Sequence, residues 1–269
     1  MRSGTASMQP LASWPAAARA GLVGVLTDID DTLTTEGAIT PDALAALARL
    51  RAAGLHVIPI TGRPVGWSEP FALAWPVDAI VAENGAVGLV RDPAGGLRKL
   101  YQQDAATRAA NFERMQQVLA RVEAEIPGAR RATDSAGRET DIAVDHSEFT
   151  HLAQDRIDAV VALMRSEGMT ATVSSIHVNG WYGAHNKREG ARWIVRELLR
   201  ADLDAQHEQW ACVGDSTNDE LMFERFEHSV GVANIRRFLE QLSHPPRYLT
   251  EGERGAGFRE VADAILAAR

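Results

Sequence analysis

The stretch Leu22 to Leu33, LVGVLTDIDDTL, governs how the rest of the chain is read. An apolar run ends in three aspartates and a threonine, the pattern of a buried strand that delivers carboxylates into the loop at its carboxyl end. In an open parallel sheet that loop is where ligands bind. Asp28 and Asp30 flank Ile29, so strand geometry carried through them would point both side chains the same way. Two like charges that close repel each other, and burial worsens this unless a cation sits between them. A hard cation with oxygen ligands, most simply Mg2+, meets that need. Asp-rich segments also end strands and cap helices, so the stretch taken alone reads equally well as a turn.

Three further polar punctuations, each after an apolar strand-like run, shift the reading towards a site. They are VIPITGR at 57–63, HNKREG at 185–190 and WACVGDSTND at 210–219. The chain has 269 residues, long for one domain and comfortable for a core with an inserted module. An apolar fraction of 45% and a charged fraction of 24% match an ordinary soluble globular protein. The net charge of −8 argues against nucleic acid or an anionic membrane as partner, since either would want a basic face. No apolar stretch approaches the ~20 residues needed to span a bilayer. No obligate protein partner is evident. The single Cys212 lies in the apolar run before GDST and reads as a buried core thiol in a reducing compartment, consistent with a cytoplasmic protein. The first twenty residues lack the apolar core of a signal peptide and read as a loose extension with at most one short helix.

Taken in order, the chain alternates strand-like and helix-like segments. Thr40-Pro41-Asp42 looks like a helix start, with Leu44, Leu47, Ala48 and Leu50 following and Gly54 at the end. LHVIPI then leads into Thr61-Gly62-Arg63, which predicts a right-handed parallel crossover. VDAIVAE at 77–83 runs into Asn84-Gly85, a turn or hairpin signal. RDPAGGLRK reads as a polar, Gly-rich domain boundary. Beyond it come a helix over 105–126, a strand in RETDIAVDHS, a helix over about 148–167, and two short β runs in ATVSSIHVNGWYG. The crossover pattern resumes with a helix over 187–200, the strand WACVGDST, the helix NDELMFERF, the β runs SVGVAN and RYLT, and a helix over about 257–268. The expectation is an α/β fold, a Rossmann-like parallel-sheet core over 20–96 and 185–269 carrying an inserted α+β cap over 97–184.

DIDDT, ITGR, HNKREG and GDSTND resemble, in order and spacing, the four motifs of the haloacid dehalogenase superfamily. The long insertion between the second and third is similar to that of the Cof-type and sucrose-phosphatase-like branch. The resemblance covers about residues 22 to 265, with one departure: Asp31 stands where the family more often carries Gly. It implies a Mg2+-dependent phosphatase acting on a small phosphorylated metabolite, a sugar phosphate by preference. By similarity Asp28 is the nucleophile that forms an aspartyl-phosphate and binds the metal. Asp30 is the general acid, its backbone carbonyl on the metal, and Asp215 is the carboxylate ligand from the far strand. Thr61 and Lys187 hold the phosphoryl oxygens, with Gly62 and Arg63 beside them, and Asn218 and Asp219 support the metal shell or the phosphate.

That assignment fits the needs of phosphoryl transfer, which wants a nucleophile, charge neutralisation and an acid for the leaving alkoxide. Ser216 reads as a turn residue, and the eight histidines show no zinc spacing. Arg138, His177, Asn179 and Trp181 are the candidates for reading the leaving group, although an aromatic beside Gly in a hairpin is as readily packing. Two other functions stay open: a phosphosugar mutase of the phosphomannomutase type, and a non-enzymatic phospho-receiver, for which so large an insertion has no use.

Overall fold

The computed structural model describes residues 8–269. The fold is mixed α/β and divides into two compact units. The first comprises the chain through Ile60, Trp75–Ala79 and Ala191–Arg269; the second comprises Thr61–Ala74 and Ile80–Gly190. Among the described residues no helix is long and apolar enough to cross a membrane.

The first unit is built on a six-stranded sheet. In spatial order its strands are Gln9–Pro10, Tyr248–Leu249, His228–Gly231, Trp210–Gly214, Gly24–Thr27 and His56–Pro59, every neighbouring pair parallel. Val25, Leu26, Val57, Ile58, Ala211 and Cys212 are buried, as expected of strands covered on both faces. The Cys212 thiol is part of this core, and burial pushes its pKa up. Pro41–Ala52 is the helix signalled by Thr40 and Pro41. Its inward face is Ala43, Ala46, Leu47 and Leu50, with Ala48 turned to solvent, the i, i+3, i+4, i+7 stripe of a surface helix. Each large side chain wholly buried in such a core contributes roughly 1.5–3 kcal/mol.

The amino-terminal extension is tied down from residue 8 onward; the first seven residues lie outside the described part of the chain. Gln9–Pro10 pairs with Tyr248–Leu249, and Trp14 is buried with its ring 5.4 Å from Tyr248 and 5.6 Å from His228. The one short helix is Ala16–Ala20. A two-residue edge strand is too short to show any period, which is why the extension read as loose.

The second unit holds a four-stranded antiparallel sheet in the order Thr170–Val173, His177–Trp181, Ile142–Asp145, Arg130–Arg131. The helices Ala105–Glu125 and Gln154–Ser166 supply Met115, Val118, Leu119, Val122, Val160 and Met164 to a core shared with Ile142, Val144, Val178 and Trp181. Asp104 caps the first helix, its carboxylate accepting the Thr107 N–H at 2.9 Å. The second helix begins at Gln154, later than its sequence suggests. The Asp145 carboxylate accepts the N–H groups of Ser147, Glu148, Phe149 and Thr150 at 2.9–3.1 Å, and so holds those residues in a loop.

RDPAGGLRK is the tip of a hairpin. Val87–Arg91 pairs with Leu97–Tyr101, and the Asp92 N–H donates to the Gly96 carbonyl at 2.8 Å. The second compact unit holds the whole of 97–184 and also takes in 61–74, 80–96 and 185–190. Val65–Ala74 is a helix despite Pro70 in its interior, a residue that argues against one in sequence.

Candidate active site

In the first unit the strands Gly24–Thr27 and Trp210–Gly214 run side by side, Thr27 in register with Val213. The ladder extends one residue past the first strand, the Asp28 N–H donating to the Val213 carbonyl at 2.8 Å. Asp28 and Asp215 therefore leave adjacent strand ends together, at the carboxyl edge where parallel sheets bind ligands. Oxygens of Asp28, Asp215 and Asp219 lie within 4.8 Å of one another, and all three residues are buried. Asp219 is brought in by the turn after Asp215. Its Oδ2 accepts the N–H groups of Asp215 and Ser216 at 3.1 and 3.2 Å, and Ser216 forms a capping box with it. Gly214 is required for this turn, because a Cβ there would stand 2.5 Å from the Asp219 carboxylate. Ser216 is the turn residue its sequence suggested, its hydroxyl donating to Asn218 Oδ1 at 2.9 Å.

Charge in this loop cluster is unbalanced. Burial first, and then the neighbouring Asp28, Asp219 and Asp31, drive the Asp215 carboxyl well above the ordinary range, with Arg237 pulling the other way. Asp215 Oδ2 accepts from Asn234 Nδ2 at 2.9 Å and Arg237 Nη2 at 3.2 Å, while Oδ1 is buried without a hydrogen-bond partner. A carboxylate with an orphaned oxygen, clustered with two further buried carboxylates, is a donor set that suits a hard divalent cation. Asp28, Asp215 and Asp219 would hold it. The Asp30 carboxylate is not one of the three clustered groups, although the residue is buried. The strand ends at Thr27, and Ile29 accepts the N–H groups of Leu33 and Thr34 at 2.9 and 3.0 Å. The ladder thus reaches Asp28 but does not carry the two-residue alternation on to Asp30. Asp219, read from sequence as a supporting group, stands in the cluster itself.

The remaining candidates lie in the second unit, and several converge there. Thr61 Oγ1 accepts the Arg63 N–H at 3.0 Å, and the Gly62 carbonyl accepts from Arg138 Nη1 at 3.0 Å and Asn179 Nδ2 at 3.4 Å. Arg138 also binds Asp141 Oδ1 at 2.7 Å, and Asn179 donates to Asp141 Oδ2 at 3.1 Å. Burial pushes the Asp141 carboxyl up to about 7. Arg63 pairs with Asp134 at 3.2 Å and with Glu148 at 2.7 Å, and His177 Nε2 lies 2.9 Å from the other oxygen of Glu148. Burial pushes Glu148 up, but the bonds from His177 and Arg63 outweigh it and hold its carboxyl at about 2. Trp181 is a core residue of this unit, its indole N–H donating to the His185 carbonyl at 2.9 Å. Lys187 is buried at the first position of the helix Lys187–Leu199, where Asn186 accepts the Glu189 N–H at 3.0 Å. Gly85, at φ 110°, packs against Asn186, whose carbonyl oxygen leaves no room for a Cβ there.

Sequence reading missed Glu83, Asp141, Asn234 and Arg237. Glu83 Oε1 accepts the N–H groups of Val65 and Glu139, and its Oε2 accepts from the backbone and hydroxyl of Thr140. Asn234 follows the next parallel strand, His228–Gly231, and its position after that strand was the available signal.

Residues 25–109 match the family described as haloacid dehalogenase-like hydrolase. The chain is similar in fold to several solved structures. One is a protein of Thermoplasma acidophilum, 16% identical with a TM-score of 0.68, covering 91% of this chain and 99% of that one. Another is the sucrose-phosphatase of Synechocystis sp. PCC6803, solved with sucrose and phosphate, 16% identical at 0.64, covering 91% and 98%. A third is a haloacid dehalogenase-like hydrolase from B. subtilis, 16% identical at 0.61, covering 89% and 98%. No curated protein matches the chain.

Proposed function

We propose, from the match of residues 25–109 to the haloacid dehalogenase-like hydrolases and from the acidic cluster, that the chain is a Mg2+-dependent phosphatase of a small phosphomonoester, with a sugar phosphate as the preferred class. The observation that carries this reading is the buried Asp28, Asp215 and Asp219 cluster with Asp215 Oδ1 left without a hydrogen-bond donor. When bound, Mg2+ would neutralise the phosphoryl oxygens and the three carboxylates. Asp28 attacks phosphorus in line with the leaving oxygen and becomes an aspartyl-phosphate. Asp30 gives its proton to the departing alkoxide and takes one back from the water that hydrolyses the intermediate. Thr61 and Lys187 take the phosphoryl-holding roles that their motifs imply, Lys187 adding a fixed positive charge. Arg138, His177 and Asn179 belong to a hydrogen-bonded network with the Thr61-Gly62-Arg63 loop, which supports a role for them in shaping the leaving-group side of the site. Packing within an apolar core speaks against direct contact for Trp181.

Sugar specificity is supported by the fold shared with a sucrose-phosphatase. The test is hydrolysis of p-nitrophenyl phosphate and a panel of phosphorylated metabolites, with and without chelator. EDTA abolishes phosphate release and excess Mg2+ restores it; full activity in EDTA removes the cation from the mechanism. Release of one phosphate per substrate supports a phosphatase, whereas a hexose 1-phosphate converted to its 6-phosphate with little free phosphate supports a mutase instead.

A further inference from the structure

The four motifs leave Asp31 and Arg237 without a role. Asp31 sits at φ 55°, a left-handed conformation where Gly is usual and Asp is among the tolerated residues. Its two carboxylate oxygens hold two guanidiniums, Arg237 Nη2 at 2.9 Å and Arg254 Nε at 3.0 Å. The same Arg237 nitrogen reaches Asp215 Oδ2 at 3.2 Å. Asn234 closes the frame. Its amide nitrogen donates to the Asp31 carbonyl at 3.0 Å and to Asp215 Oδ2 at 2.9 Å, and its Oδ1 accepts the Arg254 N–H at 2.9 Å. The side-chain donors that reach Asp215 thus land on Oδ2, and Oδ1 is buried with no hydrogen-bond partner.

We propose that Asp31 and Arg237 are a positioning pair that fixes which oxygen of Asp215 is offered to the divalent cation and sets how tightly that cation is held. This rests on the reading of the acidic cluster as a cation site. Two donors on Oδ2 lock the rotation of the carboxylate, so the free oxygen keeps one direction. Arg237 also brings a positive charge against a ligand of the cation and opposes its binding. Asp31 draws that guanidinium part-way off Asp215 and adds a negative charge of its own. The two residues therefore act with opposite signs. Losing the Asp31 charge weakens cation binding and releases Arg237 onto Asp215. Losing the Arg237 charge strengthens cation binding, while a glutamine amide there can still donate to Oδ2. A purely structural role would instead move both variants in the same direction, because loosening the loop spoils the site either way.

The test uses the full chain, stripped of metal and melted across a Mg2+ series without substrate, so that the rise in Tm reports binding alone. Asp31→Asn raises the Mg2+ concentration for half-saturation about tenfold, as expected when a unit charge is removed a few ångströms from a partly shielded cation. Arg237→Gln lowers it several-fold, and Arg237→Lys stays near the wild type. Asp31→Gly, which keeps the left-handed turn, takes the place of Asp31→Asn if that variant does not fold, and Tm in EDTA reports the folding of each. A wild-type response with both variants shifted the same way, or neither shifted, overturns the inference alone. No wild-type response to Mg2+ overturns the cation reading and the inference with it.

Discussion

The two units each bury a knot of charge, and they deal with it in different ways. In the second unit Glu83 and Asp141 are wholly buried, yet each of their carboxylate oxygens has a donor from the protein: backbone N–H groups and Thr140 for Glu83, Arg138, Asn179 and Asn84 for Asp141. In the first unit Asp28, Asp215 and Asp219 crowd together, and Asp215 Oδ1 has no donor at all. A buried carboxylate that is fully bonded costs little more than its desolvation and fixes the geometry around it. One left bare is destabilising until a cation arrives, and such strain persists where it serves a function. Two clusters of the same residue types are thus told apart by hydrogen-bond accounting: the satisfied one has the character of scaffold, and the unsatisfied one is the proposed cation site.

Removing one carboxylate from each cluster in EDTA should give opposite changes in stability. Asp141→Ala strands the buried Arg138 guanidinium and costs about 3–5 kcal/mol, a lost charge partner in a dry interior, seen as a large fall in Tm or as insoluble protein. Asp215→Asn relieves like-charge repulsion and offers an amide to the remaining carboxylates, so Tm in EDTA holds or rises while the stabilisation by Mg2+ disappears. Equal losses from both variants would erase the distinction between scaffold and site.

A smaller effect, within the second unit, is read by pH. Burial depresses His185 to about 4, and the bonds to Glu148 hold that carboxyl at about 2, both below their unfolded values of 6.5 and 4.5. The stability they bring is complete above those unfolded values and is lost as pH falls through about 4 and then about 2. Asp141 runs the other way. Its pKa is raised to about 7, so its contribution is complete below 3.8 and is lost as pH rises through about 7. His185→Phe keeps a ring beside Trp181, 5.4 Å away in the native protein, and removes the proton. Its Tm should therefore fall by less than the wild type's between pH 6.5 and 4, a difference worth about 2–3 kcal/mol at most. Parallel pH profiles for the two proteins would contradict the assignment to His185.

Strand ends were the most legible part of the sequence. LVGVLTD and WACVGD are apolar runs cut off by acids, and the sheet joins them in register as two neighbouring parallel strands. Order within the loops was less legible. The spacing of Asp28 and Asp30 pointed to a shared face, but the strand stops at Thr27 and the carboxylate that completes the cluster is Asp219, four residues past Asp215. Only the tight turn at Gly214 brings it back, and a turn has no periodicity to read. Asn234 is the last residue of the expected β run SVGVAN and Arg237 lies just beyond it, and their importance comes from contacts with Asp31 and Asp215 some 20 to 200 residues away in sequence. Trp181 was placed by type, as an aromatic that could stack on a sugar, whereas its position opposite Thr170 in the hairpin puts it in the core. RDPAGGLRK has the composition of a linker and the geometry of a hairpin tip, which composition alone does not distinguish.

The central claim, that Asp28 is the nucleophile of a phosphoryl-transfer site, is tested most directly by trapping the intermediate. Rapid acid quench of the Mg2+-loaded enzyme during turnover of a good substrate, followed by borohydride reduction and peptide mass spectrometry, should convert Asp28 alone to homoserine, and Asp28→Asn should yield no modified peptide while remaining folded. Recovery of the modification on Asp30, Asp215 or any other residue, with Asp28 intact, would contradict the account.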